Sequence, residues 1–339
     1  QPLTARRVGD LLLNNALIII MVIAVIYIAI KNPNFTQAPS LINILSQTAA
    51  YLPAALGIGG CIVLTGTDLS AGRVVGLTAC ISASLLQNAA NLANKMWPQI
   101  GTLPVIVVVL LAMLIGAAIG CFNGFFVAKF KLHPFIVTLG TQLILNTCLL
   151  LYVQMGNNKG AAISNLDQSY TSFVKGKLFS VGSTPVPRYV LFAIVLTAVM
   201  WFIWNKTTFG KNMFALGSNE EAARVSGVNV FLTTILVFAL AGAMYGFTGF
   251  IEGARIGSNT ANTGFNYELD AIAACVIGGV SFVGGIGKIR GVVVGVLMLR
   301  LIFIGLSMMK VDPNLQYLIK GGIILFACAL DMRKYLVKK

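Results

Sequence analysis

VLTGTDLSAGRVVGL, residues 63–77, sets Asp68 and Arg73 between two long apolar runs, with Gly66 and Gly72 bracketing the polar turn. Charges at membrane depth are costly and rare, so they mark either a functional site or a break between spans. The stretch reads as a break. Gly66 ends one helix, and Asp68 N-caps the next by accepting backbone N–H bonds near Ser70 and Ala71. Its charge then suits the positive end of that helix. Arg73 fits less well, because a cation in a first turn opposes the dipole and its spacing from Asp68 is not a helical pairing spacing. It needs a partner: Asp68 across the turn, a lipid phosphate, or a group on a second subunit.

The runs flanking this break recur along the chain. Of 339 residues, 57% are hydrophobic and only 10% are charged, against about 25% charged in a typical soluble domain. About 20 apolar residues cross a bilayer core as a helix. The pattern predicts ten spans, near 14–30, 41–64, 70–88, 103–124, 134–153, 188–204, 229–250, 268–283, 291–309 and 313–330. Strand alternation with polar lumen positions is missing, which argues against a membrane barrel. The expected fold is an all-α polytopic membrane protein, one transmembrane domain over 1–339, with no cleavable signal pattern ahead of its first span.

Charge orients the spans. The net charge of +14 sits mostly in short connections, as the positive-inside rule describes, and not as a nucleic-acid-binding face. An even count puts both termini on one side. With the termini inside, the cytoplasmic segments hold Arg6, Arg7, Lys129, Lys131, Lys206, Lys211, Arg224, Lys288, Arg290, Arg333, Lys334, Lys338 and Lys339. The opposite side holds Lys31, Lys95, Lys159, Lys175, Lys177, Arg188, Arg255 and Lys310. Residues 154–187 then form a long periplasmic loop, either a solvated connection or a seat for an external partner. Small residues at four-residue spacing, in GAAIGCFNG (116–124), GAMYG (242–246) and GVVVG (291–295), predict close helix packing. Cys61, Cys80, Cys121, Cys148, Cys275 and Cys328 read as small buried hydrophobes, with no CxxC pair. The single His133 precedes Pro134 and offers no metal site.

The longest cytoplasmic loop, 205–228, carries a short polar helix over 218–227. Ser218 stands three residues before Glu221, allowing a capping box. Glu220 and Glu221 complement the dipole, Ala222 and Ala223 propagate helix, Arg224 and Val225 follow, and Gly227 suits the C′ position. A helix of about eight residues is marginal alone in water. It is either a cap on the bundle or a docking helix for a cytoplasmic protein, and Asn219 shares its N-terminal turn.

No Walker A motif is present. The residue five before Gly176, Gly210 or Gly287 of each Gly-Lys pair is Thr171, Asn205 or Phe282, never glycine. No hydrolytic triad or HExxH pattern occurs, so the chain does not read as an enzyme. A secondary transporter would use buried ionisable groups beside broken helices, and Asp68 with the Glu268/Asp270 pair could serve. A channel would need a filter or charged ring, and none is evident. The permease of an ATP-driven importer would need a bundle and a docking helix, which fits best.

Six stretches carry a resemblance: GTDLSAGR (66–73), ANKMWP (93–98), HPFIVTLGT (133–141), WNKTTFGKNMFALGSNEEAARVSGVNV (204–230), GARIGSNTANTGFNYELDAIAACVIGGVSFVGGIG (253–287) and QYLIKGGIILFACALD (316–331). Through them the chain resembles the permease subunits of bacterial sugar ABC importers over nearly its whole length. Thr67, Ala71 and Arg73 make it similar to the galactose branch more than to the ribose and other pentose permeases. The resemblance implies an ABC importer permease fold in the inner membrane with cytoplasmic termini, and a homodimer. It implies a separate ATP-binding cassette subunit holding ATP and Mg, and a periplasmic galactose/glucose-binding protein. It also implies that 218–227 is the coupling helix. Hydroxyls and amides that exchange hydrogen bonds with a neutral sugar place the expected path at Thr65, Asp68, Ser70, Arg73, Asn259, Asn262, Asn266 and Tyr267. Alternatively, GSNTANTGFNYE (257–268) is only an outer connecting loop.

Overall fold

The computed structural model describes residues 16–90 and 95–336. Arg6, Arg7, Lys338, Lys339 and the first two residues of ANKMWP lie outside the described residues, as do the side chains of Arg333 and Lys334. The described chain is a helical bundle. Its first half comprises α1 (Ala16–Lys31), α2 (Ala38–Val63), α3 (Ala71–Leu85), α4 (Val105–Phe130) and α5 (Pro134–Gln154). A small cap follows, made of α6 (Gln168–Lys175) and a hairpin of β1 (Lys177–Val181) with β2 (Thr184–Pro187). The second half runs α7 (Tyr189–Lys206), α8 (Thr208–Ser218), α9 (Glu220–Val225), α10 (Val230–Ile256), α11 (Tyr267–Ile277), α12 (Ile289–Met308) and α13 (Pro313–Leu336).

Each of the ten expected spans is an apolar helix, but they are not equal. Seven (α2, α4, α5, α7, α10, α12 and α13) are long and apolar enough to cross a membrane. Helices α3 and α11 are shorter, with 15 and 11 residues, and 16 residues of α1 are among those described. The expected span 268–283 is therefore corrected: α11 stops at Ile277 and turns at Gly278–Gly279.

Packing explains the order of the bundle. Helix α2 is central, with 72% of its apolar window buried, while α13 is peripheral at 11%. Helix α10 packs on α4, α3 and α2. Its contact with α4 is backbone on backbone: a Cβ at Gly116 would collide with the Gly242 carbonyl, and one at Gly120 with the Phe238 carbonyl. The small residues read from the sequence thus let two helices approach where lipid gives no hydrophobic drive. Gly291 and Gly295 do the same for α12 against α11.

The cap closes one end of the bundle. Asp167 caps α6 by accepting from Ser169 N at 2.8 Å and Ser169 Oγ at 2.6 Å. The Tyr170 hydroxyl, fully buried, donates to the Phe250 carbonyl on α10. The opposite end carries α8 and α9. The cysteine expectation holds for Cys61, Cys80 and Cys275, which are buried, but Cys121 and Cys148 are exposed on the outer faces of α4 and α5. Both helices carry apolar residues on every side, so no single apolar stripe marks which side is buried.

Candidate functional site

The break at 63–77 is built differently from its expectation. Helix α2 ends in a Schellman motif, with Gly66 N on the Cys61 carbonyl at 3.0 Å and Thr65 N on the Ile62 carbonyl at 2.9 Å. The left-handed residue is therefore Thr65, at φ 61°, and not Gly66. A β-branched residue there is a genuine outlier. Gly66 is reserved for packing, because a Cβ on it would press on the Pro134 ring at 3.0 Å.

Asp68 is completely buried. Its Oδ1 accepts from Ser70 N at 2.9 Å and from Ser70 Oγ at 2.6 Å. Ser70, not Asp68, occupies the N-cap of α3, and Ala71 N does not bond to the carboxylate. Asp68 instead closes an Asx turn one step upstream of the helix. Ser70 Oγ also accepts from Asn123 Nδ2 at 3.0 Å, and Asn123 Oδ1 accepts from Thr141 Oγ1 at 2.6 Å. Thr138 Oγ1 donates to the Thr67 carbonyl and accepts from Leu69 N, both at 3.1 Å. Helices α3, α4 and α5 are thus joined by one polar chain. The sequence reading missed Asn123, Thr138 and Thr141. Its available signal was the lone amide of Asn123 inside a 26-residue apolar helix.

Arg73 has its partners within the chain, and Asp68 is not one of them. It is buried, its Nη1 donates to the Ala261 carbonyl at 3.1 Å, and its guanidinium lies 5.1 Å from the Phe265 ring. Glu268 is its electrostatic counterpart and also accepts from Gln142 Nε2 at 3.3 Å.

These partners come from residues 257–266, which are more than a connecting loop. The segment starts at the capped end, where Asn259 pairs with Ile163 through two backbone bonds, at 2.8 and 2.9 Å. It then runs down α3: the Cys80 thiol meets the Thr260 carbonyl, Gly76 faces the Thr263 carbonyl and Gly72 faces the Gly264 carbonyl. Eight helical residues from Cys80 to Gly72 correspond to about 12 Å. Helix α11, of 11 residues, begins beside Gly72, at the far end of this stretch. Helix α3 covers one side of this non-helical stretch: Asn259, Thr263 and Gly264 are buried, while Ser258, Thr260, Asn262 and Phe265 are exposed. Gly264 is at φ +77°, and a Cβ there would strike the Gly72 carbonyl.

The expected path residues consequently separate. Asn259 is fully buried and donates to the Gly253 carbonyl at 2.9 Å, anchoring the segment. Asn262 is exposed. Asn266 is half-buried at the left-handed N-cap position of α11. Tyr267 stacks on Tyr51 at 4.1 Å between ring centroids. Thr65 sits at the opposite end, exposed, and shares a groove of about 780 Å³ with Ser218, Asn219, Glu220 and Arg224.

Beside Tyr51 lies a second buried charge cluster. Asp270 pairs with Arg300 at 2.6 Å and with Lys320 at 2.5 Å, joining α11, α12 and α13. The Arg300 guanidinium lies 3.6 Å from the Tyr51 ring centroid, and Lys320 faces Phe303 and Tyr317. Glu252 is fully buried on α10 and holds Arg255 in two bonds at 2.6 and 2.8 Å. The lone Arg300 in LMLRLIF (297–303) was the sequence signal for this cluster.

At the uncapped end, α9 is shorter than expected, with six residues. Its N-cap is Asn219, whose Oδ1 accepts from Ala222 N at 2.9 Å. Ser218 ends α8 and bonds back to the Phe214 carbonyl, so the Ser218–Glu221 capping box does not form. Asn219 wins because its extended backbone (φ −163°) already separates the two helices. The C-terminus follows expectation: Gly227, at φ +85°, sends its N–H to the Arg224 carbonyl and Val228 sends its own to the Ala223 carbonyl. Only Ala223 of α9 is buried, and Val225 is 89% exposed. Glu220 and Arg224 form an exposed i,i+4 pair at 2.5 Å. The base of this unit is tied to the bundle, since a Cβ at Gly217 would meet the Val63 carbonyl, which also accepts from Gly285 N at 2.9 Å.

A bundle of apolar helices, a buried polar chain beside a re-entrant segment, and an exposed helix hinged to the end of its central span define a multi-pass membrane transport protein. The chain belongs to the family described as branched-chain amino acid transport system / permease component, whose profile matches residues 40–328. It is 46% identical over 321 residues to the galactose/methyl galactoside import permease protein MglC of Salmonella typhimurium, covering 95% of this chain and 94% of that one. The Haemophilus influenzae protein of the same name is 44% identical over 330 residues, 97% of each chain. The ribose import permease protein RbsC of Escherichia coli is 33% identical over 317 residues, 94% of this chain and 93% of that one. No solved structure matches the chain.

Proposed function

We propose that the chain is the membrane permease of an ATP-driven, binding-protein-dependent importer of galactose and methyl galactosides, with glucose as a further hexose. The observation that carries this reading is the 46% identity to a galactose permease over 95% of the chain, against 33% to a ribose permease over a similar length. The chain acts as a homodimer in the inner membrane. Its ten apolar helices bring the chain across ten times, with α1, α3 and α11 completed by adjoining segments and both termini in the cytoplasm.

Helix α9 and its flanks, 218–227, serve as the coupling helix. The exposed Val225 and the Glu220–Arg224 pair support this, because an isolated six-residue helix is not stable in water and gains from a partner's groove. The cassette subunit holds ATP and Mg, and this chain does not hydrolyse ATP. A sugar-binding protein docks at the capped end, over 154–187. Closure of the ATPases moves α8–α9, and with them the end of α2 at Val63–Thr65 and the turn at Gly285. A shift from about 1:99 to 99:1 between access states needs roughly 5.5 kcal/mol of differential binding.

The polar chain Asp68–Ser70–Asn123–Thr141 and the Arg73-bound segment 261–268 border the path between access states. Hydroxyl and amide groups there exchange hydrogen bonds with a neutral sugar without a deep well. Uptake of labelled galactose in cells lacking their own hexose importers tests the reading. Uptake is expected only with the cassette subunit and the binding protein co-expressed, and galactose competes where ribose does not. Competition by ribose alone assigns the pentose branch instead. Gradient-driven uptake by the lone chain assigns an ion-coupled secondary transporter, which Asp68 and Glu268 make chemically possible.

A further inference from the structure

A groove of about 720 Å³ runs along the outside of the bundle between α2, α7 and α12. Its wall follows α7 from Val190 to Trp201, about 16 Å at 1.5 Å per residue. That is close to one leaflet of an approximately 30 Å hydrocarbon core. The wall is apolar in effect as well as in composition. The Thr197 hydroxyl donates to the Ala193 carbonyl at 2.6 Å, and the Thr48 hydroxyl to the Ile44 carbonyl at 2.8 Å. Both are satisfied within their own helices and present only methyl groups.

One end of the groove is different. Arg290 lines it together with Trp201, and Lys206 lies over the Trp201 ring at 5.7 Å. Arg290 and Lys206 are exposed, and neither forms an ion pair among the described residues. An indole beside two free cations at the mouth of an acyl-length groove is complementary to a lipid with a negative headgroup.

We infer that this groove seats one acyl chain of an anionic diacyl phospholipid, with its phosphate on Arg290 and Lys206. A second copy of the chain would complement the apolar wall but leave the two cations without counter-charge, so lipid is the occupant the charges select.

The test uses the full chain in phosphatidylcholine bilayers carrying a minority of acyl-brominated phosphatidylglycerol or acyl-brominated phosphatidylcholine. Bromine on the chain quenches the Trp201 fluorescence, isolated from Trp97 and Trp204 by subtracting a Trp201→Phe variant. The brominated anionic lipid is expected to quench at about thirtyfold lower mole fraction, the effect of two cations on a charged headgroup. Arg290→Gln with Lys206→Gln brings the two lipids within twofold. Ala198→Phe, which fills the exposed wall, weakens quenching by both, read against the same variant with Trp201→Phe. Equal quenching by the two lipids in the unmodified protein overturns the proposal. So does absence of quenching by either, which means that a second copy covers the groove. Unchanged quenching in Ala198→Phe also overturns it. The total tryptophan quenching of the unmodified protein, compared between the two lipids, answers the headgroup question without any variant, so the proposal stays testable if one fails to fold.

Discussion

Asp68 and Arg73 share one sequence motif and serve two separate networks. Asp68 orders the turn and links α3 to α4 through Ser70 and Asn123. Arg73 holds the re-entrant segment at Ala261 and Phe265. Asp68→Ala removes a carboxylate that satisfies two donors and should destabilise the fold by roughly 1–3 kcal/mol. Asp68→Asn should cost less, because an amide oxygen still accepts from Ser70. Arg73→Ala and Asp68→Asn should have additive effects on thermal stability, whereas Arg73→Ala and Glu268→Gln should not. Thermal-unfolding shifts of the single and double variants check both statements. At Asp270 the arithmetic differs. Asp270→Leu strips Arg300 and Lys320 of their shared carboxylate in a buried site and should cost about 3–5 kcal/mol. Combined with Arg300→Met the loss should be smaller than for Asp270→Leu alone, because one of the two uncompensated cations is then gone and the one that remains, Lys320, is the less buried. At this scale the sequence showed that Asp68, Arg73, Glu268 and Asp270 were out of place in apolar surroundings. It could not show the pairing, because Arg73 and Ala261 are far apart in the chain and meet only once 257–266 turns inward.

Elements were legible where their signals are local. Ten apolar runs became ten helices, and the four-residue glycine spacing became the α4–α10 seam. The lengths of α3 and α11 were not legible, because hydropathy continues past Leu85 and Ile277 while the backbone does not. What stops α11 is the turn at Gly278–Gly279, where Gly279 is at φ +80° and Val280 N bonds back to the Cys275 carbonyl. The cap of α9 was misplaced by one residue for a similar reason: Ser218 is held by α8, which the sequence reading did not resolve as a separate helix. Helix α9 yields a clean prediction. Glu220→Lys combined with Arg224→Glu keeps an exposed i,i+4 pair and should leave membrane insertion and thermal stability within about 0.5 kcal/mol. Sugar-stimulated ATPase activity of the assembled complex should fall sharply, because the charges offered to the partner are reversed. Wild-type stimulation would remove the coupling role. Val225→Asp should act in the same way. At the α4–α10 seam, Gly116→Val should instead abolish folding, seen as loss of the monodisperse protein on extraction, since its side chain would enter the Gly242 backbone.

The whole molecule combines a side packed backbone on backbone with an end where α8, leading into the exposed α9, meets the end of α2. Helices α3, α4 and α10 are locked by backbone contact, and α2 passes through the core to finish at Val63, where Gly217 and Gly285 converge. A displacement of α8–α9 therefore reaches the left-handed Thr65 first and the Asp68 turn next, within a few residues of one another. That continuity is the physical basis of the coupling proposed between α9 and the buried polar chain. The class of protein was legible from composition, the charge pattern and the α9 segment. The sugar was legible only as a resemblance, at Thr67, Ala71 and Arg73, and not from any binding geometry. The most direct measurement is uptake into proteoliposomes holding this chain with its cassette subunit, with the binding protein outside. Galactose should accumulate only with ATP enclosed, and accumulation should persist when proton and sodium gradients are collapsed. Accumulation by the chain alone, driven by either gradient and indifferent to ATP, would contradict the account.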